Sequence, residues 1–238
     1  MPNKENAHMT FDEAANSAIN SVTELVTQYK LMDMAKEFQH LMLVYDNGLK
    51  QVVTKFEILS NEYKTIGDRN PIENIESRLK SPESIYKKMQ KKGIPITAST
   101  LQENLHDIAG VRVICSYVSD IYALRDMLLC HSDIRLIKEK DYIKNPKPNG
   151  YRSLHLVIET TICMSNGEYP VQVEIQLRTM AMDFWASLEH EIRYKSSSQI
   201  PAEIQEDLLE CAETIAMTDR RMERIRKQVD RIGGISID

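Results

Sequence analysis

The sequence predicts an α+β fold: a mixed sheet of about five strands flanked by helices, with helical extensions at both chain ends. Three observations predict it. Helical periodicity fills the first third and the C-terminal end. The β-rich runs between them are short and interspersed with helices. One of those runs, Val171 to Leu177, alternates strictly, with apolar residues at every odd position and Gln172, Glu174 and Gln176 on the opposite face.

Taken in order, Thr10 with Glu13 forms a capping-box pattern before an amphipathic run to about Leu31. Phe38, Met42, Tyr45, Leu49, Val52, Phe56, Leu59 and Tyr63 then recur at alternating spacings of four and three, a heptad seam. Such a seam belongs either to a long helix lying on its own domain or to an interface between chains. Asp46-Asn47-Gly48 predicts a bend or break within it. Gly67-Asp68-Arg69-Asn70-Pro71 is a turn-rich boundary. Ser81-Pro82 supplies an N-cap and a proline at the first helical position, and Gly93 closes that helix. A strand is expected at Val111–Tyr117, a helix from about Asp120 to Cys130, and strands at Ile134–Ile137 and Leu154–Ile158. After Val171–Leu177 come a helix from Thr179 to Tyr194 and a last helix from Pro201 to about Arg231. The last carries Ile204, Leu208, Cys211, Ile215, Met222, Ile225 and Val229 as an apolar stripe. The expected organisation is a helical N-terminal extension (1–67), a catalytic core (68–198) and a C-terminal oligomerisation helix (199–238).

Composition narrows the class. With 238 residues, 42% hydrophobic and 27% charged, the chain is globular and long enough to bury a core without disulfides or structural metal. No apolar run approaches the roughly 20 residues of a membrane span. Lys4, Glu5, Asp12 and Glu13 precede any hydrophobic stretch, which speaks against a secretory signal. Cys115, Cys130, Cys163 and Cys211 are scattered with no C-x-x-C spacing, so the expected home is a reducing cytoplasm. The net charge of −5 hides two basic segments. Arg78–Lys92 holds six basic residues against the single Glu83, and Lys138–Arg152 holds five against two acids. Ile200–Ile215, by contrast, holds five acids and no base. That pattern predicts an anion bound at one place rather than general coating of nucleic acid.

Within this frame, Glu174 is either a solvent-facing strand residue or a general base or metal ligand lining a cleft on the sheet. Asp107, just before the strand at Val111, is a turn residue or faces the same cleft. Arg78, Lys80, Ser84 and Lys88 converge on a helix N-terminus, as a polyphosphate cradle or as a solvated basic helix. No Walker loop is present. Lys140 to His155, with Lys147, Asn149, Gly150 and Tyr151, suits stacking on a base while pairing with phosphates, or is a hairpin loop with incidental lysines. His106-Asp107 leads into a strand and lacks the further ligands of an HD phosphohydrolase. His190-Glu191 is followed by Tyr194 where an H-E-x-x-H zinc site needs histidine.

Together these segments resemble the synthetase domain of the RelA/SpoT homologue family over about Asn70 to Lys195. They read R-x-K-x-x-x-S at Arg78–Ser84, H-D-I-A-G-V-R at His106–Arg112 and K-D-Y-I-x-x-P-K-P-N-G-Y-R-S-L-H at Lys140–His155. The last reads E-I-Q-L-R-T-x-A-M-D-F-W-A-S-L-E-H at Glu174–His190. The chain resembles a small alarmone synthetase, nearest the RelP type. The resemblance implies a nucleotidyltransferase-like fold and transfer of pyrophosphate from ATP to the 3′-hydroxyl of GTP or GDP, giving pppGpp or ppGpp and AMP. It further implies that Arg78 and Arg112 sandwich adenine, and that Lys80, Ser84, Lys88 and His155 hold ATP phosphates. Asp107 and Glu174 would bind Mg²⁺, with Glu174 as base, while Tyr151 stacks on guanine beside Lys147, Asn149 and Gln176.

Elementary chemistry agrees: two nucleoside triphosphates bring together roughly eight negative charges, which both basic segments offset. A ribose hydroxyl is a poor nucleophile until a carboxylate takes its proton. The resemblance also implies a homotetramer through terminal helices, with no membrane association and no need of nucleic acid. At the positions matching a product-activation site of one branch stand Asn74 and Asp183, and an aspartate there predicts no activation by pppGpp. Two rivals remain: a catalytically inactive module binding nucleotide or single-stranded RNA, and a nucleotidyltransferase moving AMP.

Overall fold

A computed structural model of the chain describes residues 11–66, 69–195 and 200–232, with side chains from residue 28 onward except at positions 98 and 194. The chain divides into two units, Met1–Leu43 and Val44–Asp238. The described part of the first is helical and leaves Tyr29, Leu31, Met32 and Met34 exposed. Thr10 of the expected capping box, like Gly67 and Asp68 of the expected boundary, lies outside the described residues.

The N-terminal helix α1 runs without interruption through Phe11–Ile66. The expected break at Asp46-Asn47-Gly48 does not occur. Gly48 instead marks a close approach, because a Cβ built there would lie 2.5 Å from Val171 Cγ1. The heptad seam from Tyr45 through Leu49 and Val52 to Phe56 is buried within the second unit, which makes this stretch a helix lying on its own domain. Full burial of side chains such as Val52 and Phe56 contributes about 1.5–3 kcal/mol each.

Strand β1 (Ile72–Leu79) is followed by helices α2 (Pro82–Lys92) and α3 (Ala98–Asn104), then strand β2 (Ala109–Cys115) and helix α4 (Val118–Leu129). Strands β3 (Arg135–Asp141), β4 (Leu154–Met164) and β5 (Gly167–Thr179) complete the sheet, and helices α5 (Met180–Lys195) and α6 (Ala202–Ile232) end the chain. β1 and α3 go beyond the expected elements, and Arg78 lies within β1 rather than at the N-terminus of α2. The expected strand at Val111–Tyr117 starts and ends two residues earlier.

The five strands are ordered β1-β2-β5-β4-β3, and only β2 and β5 run parallel. Helix α2 is built by its caps: Ser81 Oγ accepts from Ser84 N–H at 3.3 Å, Pro82 opens it, and Gly93 closes it at φ 68°. One face of the sheet, with Val111, Val113, Val173, Ile175, Leu177, Leu154, Leu156 and Ile158, is buried. α1 meets that face at Val171 and Thr160, the latter through Gln51 Nε2 at 3.2 Å. The opposite face is polar and carries the candidate site. α6 presents Leu208, Ala212 and Ile215 to Trp185 and Ala186 of α5. The rest of its expected stripe, Ile204, Cys211, Met222, Ile225 and Val229, is exposed.

Candidate active site

Register assembles the polar face. Arg78 lies opposite Gly110 and Glu76 opposite Arg112, while Gly110 pairs with Glu174 and Arg112 with Gln176 across the parallel ladder. Gln176 in turn faces His155, which faces Lys140. Directly paired residues share a face, so Arg78, Arg112, Glu174, Gln176, His155 and Lys140 rise from one side of the sheet. Gly110, without a side chain, leaves open floor between Arg78 and Glu174.

Asp107, just before β2, accepts hydrogen bonds on Oδ2 from Lys80 Nζ at 2.6 Å and Lys88 Nζ at 2.7 Å. Its other oxygen, Oδ1, is buried with no hydrogen-bond partner. Burial pushes this carboxyl up, but the two ammonium groups outweigh burial and hold it below its ordinary range. Glu174 stands across the same cleft. Its Oε1 lies 3.4 Å from His155 Nδ1, and its Oε2 accepts from Gln176 Nε2 at 3.1 Å. Burial raises this carboxyl and the charge of Asp107 adds to the rise, yet His155 and Gln176 bring it below the ordinary value. Both carboxylates are therefore ionised at neutral pH. They line a cavity of about 230 Å³ with Lys88, Lys92, Lys138, Lys140, His106 and His155.

Beside this cleft lies an aromatic and cationic cluster. The Tyr151 hydroxyl is 2.8 Å from His155 Nε2, and Tyr142 meets the Tyr151 and His155 rings edge-on at 6.0 and 5.2 Å. Lys147 Nζ sits over both tyrosine rings, 4.8 Å from Tyr142 and 4.6 Å from Tyr151. Asn149 Oδ1 accepts from Tyr151 N–H at 3.3 Å, and its amide donates to Glu189 at 3.0 Å. Ser84, at the exposed start of α2, donates no bond into the cleft and is held by Ser81 Oγ. Arg112 Nη1 is tied to Glu76 at 3.2 Å and to Asp183 at 3.5 Å.

Comparison with known proteins bears on this arrangement. A family described as a region found in RelA / SpoT proteins matches residues 77–199. The GTP pyrophosphokinase YwaC of Bacillus subtilis is 48% identical over 200 residues, covering 84% of this chain and 95% of its own. The chain belongs to the RelA/SpoT family. A second Bacillus subtilis GTP pyrophosphokinase, YjbM, is 35% identical over 82% of this chain and 90% of its own. Among solved structures, small alarmone synthetase 2 from Bacillus subtilis matches at TM-score 0.74 and 47% identity, covering 81% of this chain and 99% of that one. Small alarmone synthetase 1 from the same organism, bound to its product pppGpp, matches at TM-score 0.75 and 34% identity over 82% and 98% of the two chains.

Against this RelA/SpoT background, the sequence reading missed several residues of the site. Lys92, Lys138, His106 and Tyr142 reach it from helix, strand and loop positions with no shared spacing. Arg178 had a signal: it continues the Glu174, Gln176 alternation by one more step, and it is buried on the polar face. Among the described residues no group of three or more His, Cys, Asp or Glu could hold a metal ion. Two carboxylates, one with an orphaned buried oxygen, nevertheless fit Mg²⁺, which commonly takes one or two protein carboxylates and completes its shell with phosphates and water.

Proposed function

We propose that this chain is a GTP diphosphokinase, transferring pyrophosphate from ATP to the 3′-hydroxyl of GTP or GDP and releasing AMP, as the RelP-type synthetases of the stress response do. The observation that carries the reading is the placing of Asp107 and Glu174 in one lysine-ringed cleft beside the Tyr142–Tyr151–Lys147 cluster. A pure binding module has no use for two ionised carboxylates beside phosphates.

Arg78 and Arg112, diagonal neighbours on β1 and β2, would hold adenine between them. Lys80 and Lys88, now on Asp107, are the donors that ATP phosphates recruit, with Ser84 and the α2 amides, whereas His155, with one nitrogen on Tyr151 and the other toward Glu174, serves the base rather than the phosphates. Tyr151 would stack on guanine, with Lys147, Asn149 and Gln176 completing the acceptor site. Asp107 and Glu174 would hold Mg²⁺, which supplies charge neutralisation between attacking and leaving oxygens. Glu174 takes the proton of the 3′-hydroxyl. That oxygen then bonds to the β-phosphorus, and the bond from the β-phosphorus to the bridging oxygen breaks, leaving the bridging oxygen on AMP.

The same reading makes 68–198 the catalytic core of a cytoplasmic enzyme that needs no nucleic acid. Among the described residues no helix is long and apolar enough to cross a membrane. The terminal helices would build a homotetramer. Apolar side chains left exposed on each of them support this: Leu31, Met32 and Met34 on α1, and Met222, Ile225 and Val229 on α6.

The test uses γ-labelled ATP, GTP or GDP and Mg²⁺. Label should move to a guanosine penta- or tetraphosphate with release of AMP. Glu174→Gln should lower turnover by about 10²–10⁴-fold, the range a general base supplies. Release of pyrophosphate would instead identify a nucleotidyltransferase, and folded protein that binds ATP without transfer would identify a binding module.

A further inference from the structure

Arg178 is 5% exposed, and burying a guanidinium is costly unless its donors are used. Its Nη1 donates to Asp183 at 3.0 Å. Its Nη2 donates twice, to the Tyr151 hydroxyl at 2.7 Å and to Gln176 Oε1 at 3.0 Å. Those two acceptors are the two groups from which the hydrogen bonds around Glu174 descend.

The directions follow from donor chemistry. Arginine donates and cannot accept. The Tyr151 oxygen, accepting from Arg178, keeps its own hydrogen for His155 Nε2 at 2.8 Å. With Nε2 accepting from the hydroxyl, the ring hydrogen lies on Nδ1, the nitrogen 3.4 Å from Glu174 Oε1. Likewise Gln176 accepts from Arg178 with its carbonyl oxygen, which turns its amide nitrogen toward Glu174 Oε2 at 3.1 Å. Both oxygens of Glu174 therefore face a donor whose direction traces back to one nitrogen of Arg178.

We propose that Arg178 is the positioning residue of this site: through the Tyr151 hydroxyl and the Gln176 carbonyl it aims one N–H at each oxygen of Glu174. Asp183 anchors the guanidinium in place. This rests on reading Glu174 as the base and Tyr151 as the acceptor platform, and it gives the Tyr151 hydroxyl a task separate from that of its ring. Without Arg178 the Gln176 amide is free to flip and the Tyr151 hydroxyl to turn. Either change presents a lone pair, rather than a hydrogen, to the chain of groups that ends on the carboxylate.

The experiment separates hydroxyl from ring. Tyr151→Phe keeps the ring, so the KM for GDP should stay within about twofold while kcat falls about 10–100-fold, the usual effect of losing a partner that orients a reacting group. Arg178→Gln should lower kcat to a similar extent, and Arg178→Lys, which still donates, should recover part of it. The double variant Tyr151→Phe/Arg178→Gln should be little worse than Arg178→Gln, because the hydroxyl acts through the same chain. Arg178 is buried, so Tyr151→Phe, which keeps the guanidinium in place with Asp183 and Gln176 still accepting from it, keeps the test valid if Arg178→Gln fails to fold. Wild-type kcat in Tyr151→Phe, or losses that multiply in the double variant, overturns the proposal. Tyr151→Ala separately tests the reading beneath it: a raised KM for GDP supports the acceptor platform, and an unchanged one overturns it.

Discussion

Gly150 is the tightest backbone approach of the loop between β3 and β4 to α6, which Arg152 also meets through the Ala212 carbonyl at 3.0 Å. Its φ is +86°, and a Cβ there would lie 2.5 Å from Ala212 Cβ and 3.2 Å from Leu209 Cδ1. Ala212 is buried and its methyl has no rotamer to change, so relief needs movement of backbone. Gly150→Ala therefore carries two costs. The left-handed conformation disfavours an L side chain by about 1–2 kcal/mol. Overpacking against a buried neighbour adds about 1–3 kcal/mol. If the loop holds, stability falls by about 2–5 kcal/mol, and each kcal/mol lowers Tm by about 2–4 °C in a chain of this size. If the loop yields, the displacement passes to its neighbours, because Gly150 N–H bonds Lys147 O at 2.8 Å and Lys147 N–H bonds Tyr151 O at 3.1 Å. The cost then appears as a raised KM for GTP and GDP, with the KM for ATP unchanged, since α2 is untouched. Thermal unfolding and steady-state kinetics on the same preparation read both routes. A Gly150→Ala protein with wild-type Tm and wild-type acceptor KM would refute the reasoning.

Gly48→Ala should destabilise despite a gain in helix propensity of about 1 kcal/mol, because its Cβ would press on Val171 at 2.5 Å; urea unfolding reads the sign, and stabilisation would contradict the close approach of α1 to β5. Asp141 starts the acceptor loop, its Oδ1 accepting from Ile143 N–H at 3.0 Å and Lys144 N–H at 2.9 Å. Burial raises its carboxyl, but these amides, Tyr122 and Lys144 hold it below its ordinary 3.8. A depressed carboxyl contributes stability that is present above that value and lost as pH falls through the lower folded one. Asp141→Asn should therefore flatten the acid limb of a stability–pH curve below about pH 4, and an unchanged limb would show that the charge does not hold the loop. Added pppGpp should leave the initial rate within about twofold, since the Asp183 carboxylate is engaged by Arg178 and Arg112; a several-fold stimulation would contradict this.

Much of the site was legible because its signals are local. The Ser81, Pro82 and Gly93 caps of α2 depend on neighbours three or four residues away, and they lie where expected. The alternation of Val171–Leu177 declared a polar face, and Gln172, Glu174 and Gln176 occupy it. β1 was not legible. Glu73, Asn74, Glu76, Ser77 and Arg78 are exposed in an edge strand with no apolar alternation, and its pairing with β2 is what makes it a strand. Gly48 misled for the same reason. In isolation it weakens a helix, whereas here it lets one helix approach a strand.

The sequence by itself determined the chemical inventory: two carboxylates, two basic segments, an aromatic loop, and the secondary structure that local caps and periodicity impose. Tertiary structure alone decided how these meet. The parallel pairing of β2 with β5 sets Gly110 beside Glu174 and Arg112 beside Gln176, although 64 residues separate each pair. The antiparallel pairing of β4 with β5 likewise brings Tyr151 to Arg178 and His155 to Glu174, and neither meeting exists outside that register. Pairing between distant strands is selected by burial of the whole apolar face, a collective quantity that no short window of sequence contains.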